Sequence, residues 1–171
     1  MFIKRKYEDG RVYTGETLDN KKHGYGVMVW KEEPGDLYRR CYDGEWKHDK
    51  MSGHGLYQFR SGDTYVGEFL DGLGHGMGKM VYKPEPGDQT EHFYDGEWIH
   101  GKMSGPGLYQ FRSGDTYVGD FYDNKRHGKG KMVYKAQPGY LCQSYYEGEW
   151  RHSKKHGEGK RQKGNGDLYI G

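Results

Sequence analysis

A stretch of nineteen residues occurs twice in this chain with almost no change. Residues 51–69 read MSGHGLYQFRSGDTYVGEF, and residues 103–121 read MSGPGLYQFRSGDTYVGDF. The copies differ only where His54 corresponds to Pro106 and where Glu68 corresponds to Asp120. Self-similarity at one fixed spacing is the signature of an internal repeat, so the stretch predicts a repeat architecture.

The duplicated stretch belongs to a repeat that runs through the whole chain. A Tyr-x-Gly motif recurs at alternating intervals of 29 and 23 residues, and six of the units also contain a Gly-x-Gly pair. We therefore predict a single repeat domain over residues 1–171, built from a 52-residue super-repeat. The units start near Tyr13, Tyr42, Tyr65, Tyr94, Tyr117 and Tyr146, and a partial unit starts at Tyr169.

The composition restricts both the core and the partners. Of the 171 residues, 32% are hydrophobic and 16% are aromatic, so aromatic side chains make up half of the apolar residues. This is too little aliphatic material for a thick layered core and too much aromatic material for disorder. The net charge of +2 argues against nonspecific nucleic-acid binding, and no apolar run reaches the length of a membrane helix. We read the two cysteines as reduced thiols of an intracellular protein.

Side chains alternate with a period of two within each unit. In residues 42–46, YDGEW, Tyr42, Gly44 and Trp46 share one face, while the two acidic residues share the other. Segments rich in turn residues, such as 19–24 and 60–63, separate these runs. Helical periodicity is absent. The pattern predicts an all-β chain in which each unit is strand, turn, strand, turn, with essentially no helix.

Two further features predict local geometry. Gly44 and Gly55 fall on the aromatic face, where a missing side chain lets a neighbouring ring lie across the backbone. The 29-residue units exceed the 23-residue units by six residues before the next Tyr-x-Gly. Because six is even, we expect three residues to lengthen each strand without changing its faces. The longer hairpins would be tipped by Pro34-Gly35, Pro86-Gly87 and Pro138-Gly139.

The motifs resemble the membrane occupation and recognition nexus (MORN) repeat. Residues 42–46 and 94–98 (YDGEW), 146–150 (YEGEW), 65–69 (YVGEF) and 117–121 (YVGDF) carry the resemblance. Thr17, Arg161 and Lys163 depart from it by replacing aromatic residues. The resemblance implies an elongated, single-layer, twisted antiparallel sheet of stacked β-hairpins. It also implies roles in scaffolding, partner binding and association with membrane or cytoskeleton, without catalysis in the repeats.

The resemblance implies a cytoplasmic protein, and the membrane cortex, the cytoskeleton and the cilium stay open as the place where it acts. Because a seventh unit opens at Tyr169, we expect a fragment or one module of a larger protein. A complete chain is the alternative, since Arg5 and Lys163 place polar residues on the aromatic face at both ends, as caps would. The unpaired backbone groups of the end strands also suit a homo-oligomer.

The aromatic face provides the first candidate site. Met side chains adapt to varied partners, and an aromatic groove suits an extended peptide or an amphipathic helix. We expect a non-catalytic scaffold or adaptor that binds a partner protein through a concave groove. The candidate groove residues are Met28, Trp30, Trp46, Tyr57, Phe59, Met80, Tyr82, Trp98, Tyr109, Phe111, Met132 and Tyr134. The competing interpretation is that these rings only hold the hairpins together.

A basic edge provides the second candidate site. Basic residues cluster before the Gly-x-Gly pairs, and they would contact anionic phospholipids such as phosphoinositides or an acidic partner. Solubility of the turns is the competing interpretation. The middle of this edge is weak, since residues 71–75 contain no Lys or Arg. The candidate residues are Lys21, Lys22, Lys47, Lys125, Arg126, Lys154 and Lys155.

Other site chemistries are not favoured. The nine histidines recur as turn residues would, without Cys at zinc-ligand spacing, so we expect no metal. The Gly-x-Gly pairs lack the third glycine and the following helix of a phosphate-binding loop. No nucleophile–base pair or carboxylate dyad is singled out. We therefore expect no cofactor, no nucleic-acid partner and no enzyme activity.

Overall fold

The chain forms β-strands joined by turns and loops. The computed structural model describes residues 1–88 and 90–171, and no helix occurs within these residues. Within each of the two compact units described below, the strands follow in the sheet as they follow in the chain. They are β1 (Phe2–Lys6), β2 (Val12–Leu18), β3 (Lys21–Val29), β4 (Cys41–Lys47), β5 (Lys50–Gln58), β6 (Thr64–Leu70), β7 (Leu73–Tyr82), β8 (His92–Ile99), β9 (Lys102–Gln110), β10 (Thr116–Tyr122), β11 (Lys125–Val133), β12 (Tyr145–Arg151), β13 (Lys154–Gln162) and β14 (Leu168–Ile170).

The chain divides into two compact units, Met1–Lys83 and Pro84–Gly171. The first unit contains β1–β7 and the second contains β8–β14. In each unit, every strand pairs antiparallel with the next strand along the chain. The predicted all-β fold of antiparallel hairpins is confirmed. No helix within the described residues is long and apolar enough to cross a membrane.

Two-residue turns close the hairpins that follow the Tyr-x-Gly strands β2, β4, β6, β8, β10 and β12. Both central residues have positive φ, as in Asp19 (49°) and Asn20 (61°), which defines type I′ geometry and matches the twist of the strands. These turns are shorter than the sequence suggested. Lys21 and Lys22 already belong to β3, and His54 lies within β5 rather than in a turn, so both assignments to turns were wrong.

The extra six residues of the longer units form loops. Residues 30–40 separate β3 from β4, whereas residues 59–63 separate β5 from β6, and these four strands have matching lengths. Beside the second long loop, β7 and β8 are each only one residue longer than their counterparts. The expectation of three extra residues per strand was therefore wrong. Pro34 has no N–H for a ladder, and Gly35 adopts φ +95° in a turn closed by the Asp36 N–H and the Glu33 carbonyl (3.0 Å). The loop satisfies its backbone locally instead of extending the sheet.

A row of buried tyrosines forms the core of each unit. Tyr42 is 0% exposed, and its hydroxyl donates to the carbonyl of Glu45 at 2.9 Å. Its ring lies over the backbone of paired glycines, so that a methyl group added at Gly55 would sit 2.5 Å from the Tyr42 Oη. Trp46 and Phe69 contact the same ring edge-on at 5.1 and 5.0 Å. The predicted role of these glycines is confirmed.

The acidic residue after the Tyr-x-Gly motif has, in several units, a structural role that the sequence did not predict. A β-bulge shifts the register between Gly44 and Trp46. There the Glu45 carboxylate accepts the backbone N–H of His54 at 2.8 Å. Glu68 and Asp120 accept the N–H groups of Met77 (3.1 Å) and Lys129 (3.2 Å) in the same way. These carboxylates hold the bulge rather than serving only as solvent-facing charges.

Candidate binding groove

The predicted groove residues lie on the aromatic face, but they differ in exposure. Register places them beside the tyrosine row, since Met28 and Tyr57 both pair with Tyr42, and Met132 pairs with Tyr117. The buried members are Met28, Trp46, Tyr57, Trp98 and Met132. The half-buried members, which retain surface for a partner, are Trp30, Phe59, Met80, Tyr82, Tyr109, Phe111 and Tyr134.

In the first unit, the half-buried rings lie toward the edge of the sheet that carries the loops of residues 30–40 and 59–63. Trp30 and Phe59 each contact Tyr57, with ring centroids 5.7 and 4.6 Å apart. Arg40 extends from the long loop over the Trp30 ring at 4.4 Å, and its Nε donates to the Tyr57 hydroxyl. The result is a surface of stacked rings with a fixed cation at its border.

A small depression lies on this face between Trp30, Trp46 and Met28. Its volume is about 240 Å³, and the other residues that line it are Arg11, Lys22, Asp49, Lys50, Met51 and Gly72. This is below the roughly 300–1,000 Å³ typical of small-molecule sites. The depression therefore suits one side chain of a partner better than a free metabolite.

The second unit repeats the ring surface with a different border. Tyr109 and Phe111 lie 4.6 Å apart, and His92 takes the place of Arg40, with its Nε2 2.9 Å from the Tyr109 Oη. Arg126 lies over Trp150 at 4.5 Å. Burial lowers the pKa of the Arg126 guanidinium.

The structure separates the predicted basic edge into two groups. Lys21, Lys47, Lys125 and Lys154 are exposed beside the type I′ turns. Lys22, Arg126 and Lys155 pair across the ladder with Thr17, Phe121 and Trp150, which places them on the aromatic face. Lys22 also forms an ion pair with Asp49 at 3.1 Å. The second group therefore contributes to the groove rather than to the edge.

Exposed leucines flank the Asp71–Gly72 turn of the first unit, and this turn has no Lys or Arg of its own. Leu70 and Leu73 pair across the Asp71–Gly72 turn and are 43% and 48% exposed. Leu18 is exposed beside the first turn. The sequence carried this signal as apolar residues that flank a two-residue turn, but the turn was interpreted as longer.

The long loops are held by ion pairs that sequence reasoning missed. Arg60 contacts Glu33 at 3.0 Å and Asp36 at 3.7 Å. Arg112 contacts Asp88 at 3.0 Å and Glu85 at 3.7 Å one super-repeat later. The identical spacing of these residues in the two copies was the available signal. In the third copy, Tyr140 lies against Gly164 where the arginine would stand.

The histidines pair with one another at the turn edge. His23 and His48 lie 5.3 Å apart between ring centroids, and His127 and His152 lie 5.6 Å apart. No group of three or more His, Cys, Asp or Glu side chains suited to a metal ion occurs in residues 1–88 and 90–171. The arrangement is a stack of neighbouring turns.

Comparisons with known proteins agree with this geometry. The MORN repeat family model matches six segments, residues 13–32, 42–64, 65–84, 94–116, 117–136 and 146–168. Alsin of Mus musculus is 37% identical over 129 residues, which cover 68% of this chain and 8% of Alsin. Alsin of Homo sapiens is 37% identical over 127 residues, covering 67% and 8%. MORN repeat-containing protein 3 of Xenopus laevis is 34% identical over 90 residues, covering 49% and 35%.

These matches and the fold define the class of protein. Successive hairpins whose buried tyrosines lie over paired glycines make a β-repeat protein that is stabilised by contacts between neighbouring units. The chain belongs to the MORN repeat family, as the resemblance predicted. It spans less than a tenth of the length of the Alsin proteins that it matches.

Proposed function

We propose that this chain is a non-catalytic scaffold or adaptor that binds a segment of a partner protein along its aromatic face. The observation that carries the proposal is the second row of rings. Trp30, Phe59, Phe111 and Tyr134 lie beyond the tyrosines that lock the hairpins, and they remain half-buried. Aromatic side chains that are already ordered provide contact area at low entropic cost, which favours their use as binding anchors.

The shape of the face supports an extended or helical segment as the partner. In the first unit, the depression between Trp30 and Trp46 has room for a single side chain, with further rings beside it. The acidic residue after the Tyr-x-Gly motif accepts a backbone N–H hydrogen bond at Glu45, Glu68 and Asp120. This use of the carboxylates in the backbone supports a non-catalytic role for the repeats.

Serine substitutions of the half-buried rings test the proposal. We expect Trp30→Ser with Phe59→Ser, and Phe111→Ser with Tyr134→Ser, to weaken partner binding at least about tenfold, since one aromatic anchor contributes more than about 1 kcal/mol. The partner is obtained by affinity capture from the source cells, identified by mass spectrometry and titrated by isothermal calorimetry.

The matched control removes apolar side chains from the opposite face. Val66 and Val118 are exposed in β6 and β10, and both face away from the rings. Val66→Ser with Val118→Ser is expected to leave the affinity unchanged. If the ring variants fold and still bind every captured partner with wild-type affinity, the groove proposal is wrong.

The turn edge supports a second candidate function, a peripheral module that binds anionic phospholipids. Leu18, Leu70 and Leu73 are exposed among lysines on this edge of the first unit. Apolar side chains that enter the headgroup region next to lysines are the usual components of interfacial binding.

Vesicle flotation tests this second candidate. We expect binding to vesicles that contain phosphatidylserine or phosphoinositide, and we expect that binding to weaken as salt is raised. Leu70→Ser with Leu73→Ser should reduce the bound fraction several-fold, because the loss of each buried CH₂ group costs about 0.8 kcal/mol. Val66→Ser with Met77→Ser, on the sheet face, is the control. Failure to float with acidic vesicles at low salt would exclude the lipid function.

A further inference from the structure

Four basic side chains gather on the aromatic face of the second unit, near its last strands. Arg126, Lys155 and Arg161 pair across the ladder with Phe121, Trp150 and Tyr146. Directly paired residues share one face of a sheet, so these cations lie on the side of the rings. Lys163 follows Arg161 by two residues. We call Arg126, Lys155, Arg161 and Lys163 the cationic cluster.

The cationic cluster is ordered by aromatic rings. Arg126 lies 4.5 Å from the Trp150 centroid, and Lys155 lies 4.7 Å from Tyr146 and 5.6 Å from Tyr134. Lys163 lies 4.8 Å from the Tyr169 ring. Such contacts hold a cation over an aromatic face without neutralising its charge.

No carboxylate of the described residues lies within ion-pair distance of the cluster. The acidic residues of β12 and β13 alternate onto the opposite face, where Glu147 pairs with Lys131 at 3.1 Å. By contrast, Arg112, which holds a long loop in place, forms an ion pair with Asp88 at 3.0 Å. A basic residue with a structural role in this fold is thus paired with a carboxylate. The charge of the cluster is therefore available to a ligand.

The preceding super-repeat shows what the cluster replaces. Gly74, Met103, Tyr109 and Phe111 stand 52 residues before Arg126, Lys155, Arg161 and Lys163. If these positions only had to be soluble in water, acidic side chains would replace the apolar residues as well as basic ones do. The uniform positive sign favours recognition of negative charge.

We propose that the cationic cluster binds acidic side chains of the partner segment, so that this segment carries carboxylates beside its apolar anchors. The proposal rests on the proposed function of the aromatic face and names the chemistry of its partner. The rings beside the cluster bind the apolar part, while Lys155, Arg161 and Lys163 bind the carboxylates. Arg126 is half-buried and donates to the Ser153 carbonyl at 3.0 Å, so it positions the Trp150 ring and borders the site.

Two synthetic peptides provide the probe. One contains a Leu-rich half followed by a Glu-rich half, and the other has Gln in place of every Glu. We expect fluorescence anisotropy to show at least about tenfold tighter binding of the Glu peptide, with a Kd that rises with salt. Lys155→Gln, Arg161→Gln and Lys163→Gln together should raise that Kd about tenfold, because each exposed pair contributes up to about 1 kcal/mol.

The matched control removes the same charge from the opposite face of the same strands. Lys129, Lys131 and Lys160 lie in β11 and β13, and they alternate away from the rings. The triple change of these lysines to Gln should leave the Kd of the Glu peptide within about twofold of wild type. Thermal melting checks that both triple variants are folded.

Several outcomes would overturn the inference. If both triple variants raise the Kd of the Glu peptide equally, only the net charge of the protein matters. If the Glu and Gln peptides bind equally well, the cluster does not recognise carboxylates. No binding of the Glu peptide contradicts the proposal as well. If the cluster variant no longer binds phosphatidylserine vesicles but still binds the Glu peptide with wild-type affinity, the cluster recognises a lipid surface instead of a peptide.

The natural partner separates this inference from the proposed function. Loss of that partner in the variant with Phe111→Ser and Tyr134→Ser, but not in the cluster variant, would leave the groove proposal standing and reject the acidic partner. Retention in both variants would reject both proposals.

Discussion

Gly55→Ala is expected to lower the free energy of unfolding by about 3 kcal/mol, since overpacking of a tight core typically costs 1–3 kcal/mol. The added methyl group would lie 2.5 Å from the Tyr42 Oη and Cε2 and 2.7 Å from its Cζ. The ring has no room to withdraw, because its hydroxyl is bonded to the Glu45 carbonyl and Trp46 and Phe69 contact it edge-on.

Urea unfolding followed by tryptophan fluorescence measures this effect. Hydrogen exchange should show that the loss of protection centres on β4 and β5, since repeat proteins open locally. Leu56→Ala is the matched control. It introduces an alanine at the next position of the same strand, on the opposite and exposed face. It should cost less than about 1 kcal/mol. Equal destabilisation by the two variants would contradict the ring-over-glycine explanation.

The part of the fold that follows alternation could be predicted from the sequence. Tyr42, Gly44 and Trp46 share a face by a period of two, and the structure buries that tyrosine against Gly55. The repeat supplied the pairing of neighbouring hairpins, because each unit can bury its rings only against the next. To predict this part of the fold, it was enough to assume that hairpins next to each other in the chain are next to each other in the sheet.

The prediction failed where side chains override alternation or where a turn is misread. The six extra residues could have extended the strands, but Pro34 has no ladder donor and a local Glu33–Asp36 turn satisfies the backbone. Lys22 was placed on the edge because the turn was read as six residues long. With the two-residue turn Asp19–Asn20, the same alternation places Lys22 on the aromatic face.

The side-chain contacts of the site were harder to predict than the fold, because they depend on how far a long side chain extends and on what lies within its range. The carboxylate of Glu45 bends to the His54 N–H across a bulge, which a simple in-or-out pattern does not describe. Arg60 reaches Glu33 and Asp36, which are more than twenty residues away in sequence. Such contacts depend on loop geometry, and the sequence did not specify the loop.

Alkaline pH is expected to unfold the protein through its buried tyrosines. Burial raises the pKa of Tyr13 to about 12, and it also raises the pKa values of Tyr42, Tyr65, Tyr94 and Tyr117. In the unfolded chain these phenols titrate near pH 10. The folded state therefore keeps them neutral at a pH where the unfolded state ionises them. This contribution is complete below about pH 10 and is lost as pH rises through the folded pKa values.

The loss should be steep because several tyrosines act together. Each phenol that must stay neutral lowers the free energy of unfolding by up to about 1.4 kcal/mol per pH unit above its unfolded pKa. Urea unfolding followed by tryptophan fluorescence from about pH 8 to pH 12 should show a constant midpoint and then a fall that begins near pH 10.

Two Phe substitutions assign the effect to the buried ring. Tyr13→Phe loses the 2.6 Å hydrogen bond to the Glu16 carbonyl, so we expect it to be about 1 kcal/mol less stable at neutral pH but to have a shallower alkaline slope. Tyr122→Phe removes a phenol that is 64% exposed and should leave the slope unchanged. An equal slope in the wild type and in Tyr13→Phe would show that the Tyr13 phenol does not contribute to alkaline unfolding.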